Sequence, residues 1–141
     1  DAIPADGAVG NLRFQEAKDL LETQYFDFVI LDIMGVDGYK LLQIAKTREM
    51  TAVMLTAHAL SPDDALRSFQ EGAASYVPKE EMANIVTFLE DILEAEEKGK
   101  HPWWRWFGRL GSYFDRRFGP GWKERDKDYW KDIAPFYGGD V

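Results

Sequence analysis

A carboxylate, a hydroxyl and an ammonium group each stand at or just past the end of a short apolar run in this sequence. The three residues are Asp32, Thr56 and Lys79. An aspartate carboxylate can attack as a nucleophile, and a hydroxyl and an ammonium group can hold the oxygens of a transferred anion. If the three runs are neighbouring strands, the pattern predicts a site for phosphoryl chemistry.

The apolar runs before these residues have the length of buried strands. They cover residues 28–31, 52–56 and 75–77, and the longer two are apolar on both faces, as strands of a parallel sheet are. Such alternation of strands with helices predicts an α/β fold whose functional groups lie at the carboxyl ends of parallel strands. Helical periodicity between and around the runs predicts helices over about 13–24, 39–46, 61–71 and 80–97. The last of these helices would carry an apolar stripe made of Met82, Ile85, Val86, Leu89, Ile92 and Leu93.

Composition narrows the class of protein. The 141 residues are 45% hydrophobic and 30% charged, which is typical of a folded domain, and the absence of cysteine excludes disulfides and thiolate chemistry. The net charge of −8 argues against general nucleic-acid binding. No apolar run is long enough to cross a membrane, so we expect a cytoplasmic protein.

The charge and the aromatic residues divide the chain near residue 100. Residues 1–100 carry a net charge of −10, whereas residues 101–141 carry +2 and all five tryptophans. We therefore predict a body over 1–100 and an aromatic helical tail over 101–141. Helical spacing in the tail brings an apolar stripe to one face, made of Trp103, Trp106, Phe107, Leu110 and Phe114.

Four motifs in the body resemble, in order and spacing, those of receiver domains, the response-regulator modules of two-component systems. The resemblance covers about residues 12–96. Its motifs are Val29-Ile30-Leu31-Asp32-Ile33-Met34, then Asp37-Gly38, then Met54-Leu55-Thr56-Ala57, then Gly72-Ala73-Ala74-Ser75-Tyr76-Val77-Pro78-Lys79.

The resemblance implies a flavodoxin-like, doubly wound parallel sheet and a role for each matching residue. Asp32 would be the phosphorylated residue and, with the backbone carbonyl of Met34, a ligand of Mg²⁺. Thr56 would be the switch hydroxyl and Tyr76 the aromatic residue that moves with it. Lys79 would pair with the phosphoryl oxygens.

The start of the chain departs from the family pattern. Receivers carry a first strand that ends in an acidic pair, and no counterpart is recognisable here. The fold would therefore be incomplete at its N-terminal side, and the strand that ends at Asp32 would have an open edge. We expect that the natural chain extends before Asp1, or that a partner chain or the tail fills the gap. In addition, Pro78 precedes Lys79, whereas the family has proline after its lysine.

The tail allows several interpretations. The stripe can pack on its own body or on a twin chain, or it can dock a protein partner, since Trp, Tyr and Arg are good interface anchors. A membrane-surface helix is a further alternative. The basic character of the tail is weakened, however, by the acidic residues Asp115, Glu124, Asp126, Asp128 and Asp132, so we expect no membrane contact. The absence of a helix-turn-helix pattern argues against DNA.

The sequence thus predicts a stand-alone receiver in phosphorelay signalling. Its partners would be a histidine kinase or phosphotransfer protein and a downstream protein target, with a homodimer through the tail or the sheet edge as an added prospect. We expect no enzyme, because a phosphatase using Asp32 would need a general acid, and none is evident. The alternative is a phosphorylation-independent pseudo-receiver that acts as a structural or oligomerising module.

Overall fold

A computed structural model describes residues 14–32, 36–56 and 61–125 of the chain. The described residues form three parallel strands that alternate with helices, so the α/β class expected from the sequence is confirmed. The strands are β1 (Phe28–Asp32), β2 (Thr51–Thr56) and β3 (Ser75–Pro78). The helices are α1 (Phe14–Thr23), α2 (Val36–Thr47), α3 (Pro62–Gln70), the 3₁₀ segment (Lys79–Asn84), α4 (Ile85–Lys98), α5 (Trp106–Phe118) and α6 (Trp122–Arg125).

The sheet has the order β1-β2-β3, with both pairs parallel. Asp32 lies opposite Leu55, and Thr56 lies opposite Pro78, so the carboxyl ends of all three strands finish at one edge of the sheet. This arrangement is compatible with a flavodoxin-like fold. It also brings the three polar residues singled out above to the same side of the molecule.

Burial explains why these short runs are strands. In β2 every residue after Thr51 is buried, and all four residues of β3 are buried. Strands that are covered on both faces need apolar side chains at successive positions, and this is the composition that parallel sheets show. The core continues into α2 through Leu42 and Ala45, neither of which is exposed.

Helix α3 begins where its local sequence predicts. The hydroxyl of Ser61 accepts a hydrogen bond from the backbone N–H of Asp64 at 3.0 Å, and Pro62 occupies the first helical position. Both features satisfy or avoid the free N–H groups of a helix start. Beyond the helix, Gly72 has a φ of +94°, a conformation that glycine adopts at little cost.

The last helix of the body differs from the sequence-based expectation. One helix over about 80–97, with Met82, Val86 and Leu93 on its apolar stripe, was expected. The structure has the 3₁₀ segment followed by α4, and these three side chains are 43%, 60% and 50% exposed. Leu89 and Ile92 of the predicted stripe are buried as expected, and the buried face of α4 also carries Phe88, Asp91 and Ala95.

Strand β1 has a strand neighbour on one side only among the described residues, because β2 is its only partner there. The apolar side chains of Val86 and Leu93 are exposed on α4, and an open, partly apolar depression is lined by α4 together with Phe28 and Ala52. The described part of the chain thus leaves one side of β1 and one face of α4 uncovered.

The tail contributes helices α5 and α6 as far as residue 125. Helix α5 begins at Trp106, and Trp103 lies in the turn that precedes it. Its buried side chains are Trp106, Phe107, Leu110 and Phe114. None of the helices that the structure describes combines the length and the apolar character needed to cross a membrane.

Candidate functional site

The site at the carboxyl ends of the strands consists of Asp32, Thr56 and Lys79, which we call the rim. The ammonium nitrogen of Lys79 lies 2.8 Å from Oδ2 of Asp32. The side chains of Lys79 and Asp32 are 47% and 41% exposed, so a partner molecule can reach both. The structure therefore brings together the carboxylate and the ammonium group that lie 47 positions apart in the sequence.

Strand register explains this proximity. Asp32, Leu55 and Val77 lie in one row across the sheet, and Thr56 and Pro78 form the next row. Lys79 follows directly as the first residue of the 3₁₀ segment, so its long side chain can reach back to Asp32. The position of the ion pair thus follows from where the strands end.

Thr56 differs from the other two rim residues, Asp32 and Lys79, because it is only 1% exposed. It is the last residue of β2, next to the residue that lies opposite Asp32. The rim therefore combines two exposed charged groups with a buried hydroxyl at an adjoining strand end.

Of the two predicted Mg²⁺ ligands, the structure describes only Asp32. Met34, whose backbone carbonyl was predicted to bind Mg²⁺, lies outside the described residues. Within the described ranges, no group of three or more acidic or histidine side chains could hold a metal ion. Of the three rim residues, Asp32 supplies carboxylate oxygens, the type of ligand that Mg²⁺ prefers.

Tyr76 is fully buried in β3, one residue before the row that contains Asp32. Its hydroxyl accepts a hydrogen bond from the backbone N–H of Ser61 at 3.1 Å, at the start of α3. Burial is the main cause that raises the pKa of this hydroxyl well above its ordinary value. The ring thus joins the sheet to α3 and stays neutral at physiological pH.

The tail packs along β3 and α4, and we call this contact between residues 103–118 and the body the seam. The indole N–H of Trp103 donates to the carbonyl of Ala73 at 2.8 Å, and that of Trp106 donates to the carbonyl of Tyr76 at 2.9 Å. All five residues of the predicted tail stripe are buried, with exposures of 5% or less. The structure therefore places this stripe against the body of the same chain.

Aromatic rings fill the seam. Phe114 lies 6.4 Å from Tyr76 and 5.3 Å from Trp106, both in edge-on arrangements, measured between ring centroids. Trp122 extends the cluster at 5.0 Å from Phe114, and its indole N–H donates to Asp115 at 2.8 Å. Such edge-on pairs add to the stability that burial provides.

Charged and hydroxyl groups border the seam, and these were not assigned a role from the sequence. Arg109 donates two hydrogen bonds to Asp91 of α4, at 2.8 and 2.9 Å, and this pairing raises the pKa of the guanidinium. Arg105 donates to Glu94 at 2.8 Å. The hydroxyl of Tyr113 donates to Glu80, which directly follows Lys79.

The sequence carried a signal for the pair between Asp91 and a cation. Asp91 falls among apolar residues on one face of α4, and a buried carboxylate needs a cationic partner.

Comparison with known proteins finds similarity over part of the chain. No family model matches the sequence. A stretch of 56 residues is 41% identical to the transcriptional activator protein PfeR of Pseudomonas aeruginosa. The match covers 38% of this chain and 18% of PfeR, so this chain resembles less than a fifth of the length of that regulator. The chain is thus similar to part of a bacterial regulatory protein.

Proposed function

We propose that this chain is a receiver in phosphorelay signalling and that Asp32 accepts a phosphoryl group from a histidine kinase or phosphotransfer protein. The observation that carries the proposal is the 2.8 Å ion pair between Asp32 and Lys79 at an exposed strand end, beside the buried Thr56. The similarity to part of a protein named as a transcriptional activator supports a regulatory role.

The proposed chemistry needs little from the protein. A carboxylate oxygen of Asp32 forms a bond to phosphorus, the bond from phosphorus to the donor imidazole nitrogen breaks, and the imidazole keeps the electron pair. Lys79 lies where it can pair with the phosphoryl oxygens in place of the free carboxylate. Asp32 would hold a Mg²⁺ ion, whose positive charge would neutralise the negative charge of the transferred group.

The exposure of the rim favours a protein donor. Asp32 and Lys79 are both open to solvent. A phosphohistidine on another protein can approach such a surface directly. The output would be a protein contact, because the chain carries a net charge of −8, which opposes binding to a nucleic acid.

The test is the intact mass of the protein after incubation with acetyl phosphate and Mg²⁺. We expect one phosphoryl adduct on the wild type and none on Asp32→Asn. Asp37→Asn is the matched control, because Asp37 is an exposed carboxylate in the first turn of the neighbouring helix α2, and it should still form the adduct. An adduct on Asp32→Asn, or none on the wild type, would contradict the proposal.

A phosphorylation-independent pseudo-receiver is the second candidate. It is favoured by one observation, namely that the described residues offer no cluster of three or more metal-binding acidic or histidine side chains. In that case the fold would serve as an interaction module. This candidate predicts that the wild-type protein forms no phosphoryl adduct although it remains folded.

A further inference from the structure

Residues 76–80 connect the rim to the seam, because Lys79 is a rim residue and its neighbours Tyr76 and Glu80 contact the tail. Tyr76 and Lys79 lie only three positions apart at the end of β3 and the start of the 3₁₀ segment. Glu80 extends this stretch by one residue. Whatever fixes the backbone here affects both the ion pair with Asp32 and the contact with the tail.

The tail binds both ends of this stretch, and Asp32 binds Lys79 between them. On the tail side, the carbonyl of Tyr76 accepts the indole hydrogen bond of Trp106, and Glu80 accepts a hydrogen bond from Tyr113. On the rim side, Lys79 forms its ion pair with Asp32. The side chain that meets the carboxylate is therefore flanked on both sides by residues that the tail binds.

We propose that the tail positions Lys79, so that docking of the tail on β3 and binding of a phosphoryl group at the rim favour each other. Tyr113 and Trp106 are the positioning residues, and Glu80 is the link between the tail and the rim. The link itself is a property of the unmodified protein, whereas its use in signalling depends on the phosphorelay function proposed above.

The sign of the coupling follows from the contacts. In the tail-docked state Lys79 points to Asp32, which is the orientation that an anion at the rim needs. A phosphoryl group carries more negative charge than the carboxylate and therefore prefers the state in which Lys79 is already in place. By linkage, a group that prefers the docked state also stabilises it. Phosphorylation should thus tighten the tail and not release it.

The coupling can be measured without phosphorylation, through hydrogen exchange of the α5 amides. We expect Asp32→Asn to speed exchange in α5 by about two- to five-fold, the size expected for loss of one exposed ion pair. In a Tyr113→Phe background the same change should have a clearly smaller effect, because the link to Glu80 is already broken. Arg109→Gln is the control background, since Arg109 ties the tail to α4 and not to residues 76–80. There the effect of Asp32→Asn should persist in full.

Two results would overturn the inference. One is that Asp32→Asn leaves exchange in α5 unchanged. The other is that its effect is the same in the Tyr113→Phe and Arg109→Gln backgrounds. Neither result depends on whether the protein accepts a phosphoryl group, so failure of the inference is distinct from failure of the proposed function. If acetyl phosphate and Mg²⁺ do label Asp32, exchange in α5 should slow by a similar factor, and faster exchange would contradict the proposed sign.

Discussion

The rim and the seam share the end of β3 but differ in how their polar groups are treated. At the rim, Asp32 and Lys79 face solvent and satisfy each other with one ion pair. At the seam, the indole N–H groups of Trp103 and Trp106 donate to backbone carbonyls, and both rings are buried. An exposed ion pair contributes little to stability, whereas two buried indoles contribute a great deal.

The two regions should therefore respond differently to substitution. The rim can change its charge without a large cost to the fold, because water already solvates its groups. Loss of Trp103 or Trp106 from the seam would leave a cavity and a backbone carbonyl without its indole donor. Substitutions in the two regions should therefore separate stability from chemistry.

The largest effect is expected for Trp106→Ala. The ring is 3% exposed and contacts Trp103, Phe107 and Phe114, so its removal should lower the free energy of unfolding by about 3–5 kcal/mol. Urea denaturation followed by far-ultraviolet circular dichroism measures this loss. Trp104→Ala is the control, because that ring is half-buried beside cations, and its loss should cost no more than about 1 kcal/mol. Equal losses of unfolding free energy in the two variants would contradict the claim that the buried Trp106 ring contributes more to stability than the half-buried Trp104 ring.

A smaller effect is expected for Tyr76→Phe, which tests the bond between the sheet and α3. The substitution keeps the buried ring but removes the hydroxyl that accepts from Ser61. We expect a loss of about 1 kcal/mol in the free energy of unfolding, the usual contribution of one such hydrogen bond. Tyr25→Phe serves as the comparison, since Tyr25 is 60% exposed, and its effect should stay within about 0.5 kcal/mol. No loss in Tyr76→Phe would mean that the Ser61 contact contributes nothing.

At the rim, Asp32→Asn should leave the fold nearly as stable as before. Both partners of its ion pair are more than a third exposed, so we expect a change below about 1 kcal/mol in the urea experiment. The same variant is expected to abolish the phosphoryl adduct. A loss of several kcal/mol would show that the rim, like the seam, is part of what holds the protein together.

The smallest effect concerns pH at the edge of the seam. Hydrogen bonds from Arg105 and Lys98 lower the pKa of Glu94 below its ordinary value of 4.5. Because the folded-state pKa is depressed, this contribution to stability is fully present well above pH 4.5 and is lost as the pH falls through the folded value. The urea midpoints of the wild type and Glu94→Gln should therefore differ slightly at pH 7 and converge as the pH falls through the depressed pKa of Glu94. A difference that stays constant over this fall in pH would rule out Glu94 as the titrating group.

The sequence was informative about the body because its signals are local. Apolar runs predicted β1, β2 and β3 to within one or two residues, and Ser61 with Pro62 predicted the start of α3. The meeting of Asp32 with Lys79 required only the parallel order of the strands, which the alternation of elements indicates. Met34 lies outside the described residues, and its predicted role stays a prediction.

The seam could be predicted only in part. Helical spacing showed which tail residues share a face, but it left open whether the body, a second chain or another protein covers that face. The carbonyls of Ala73 and Tyr76 carry no sequence signal as hydrogen-bond acceptors, since every residue has one. The apolar pattern of α4 was correct for Leu89 and Ile92, which are buried. It was misleading for Val86 and Leu93, which match the helical period but are exposed.

The placement of the tryptophans has a practical consequence for spectroscopy. All five belong to residues 101–141, and Trp103, Trp106 and Trp122 are buried in or beside the seam. Intrinsic tryptophan fluorescence of this protein therefore reports on the tail. It reports on the sheet only through the contacts that the sheet makes with the tail. Circular dichroism reports on both. A gap between the two unfolding curves would reveal that the tail melts before the body, whereas coincident curves would mean that they unfold as one cooperative unit.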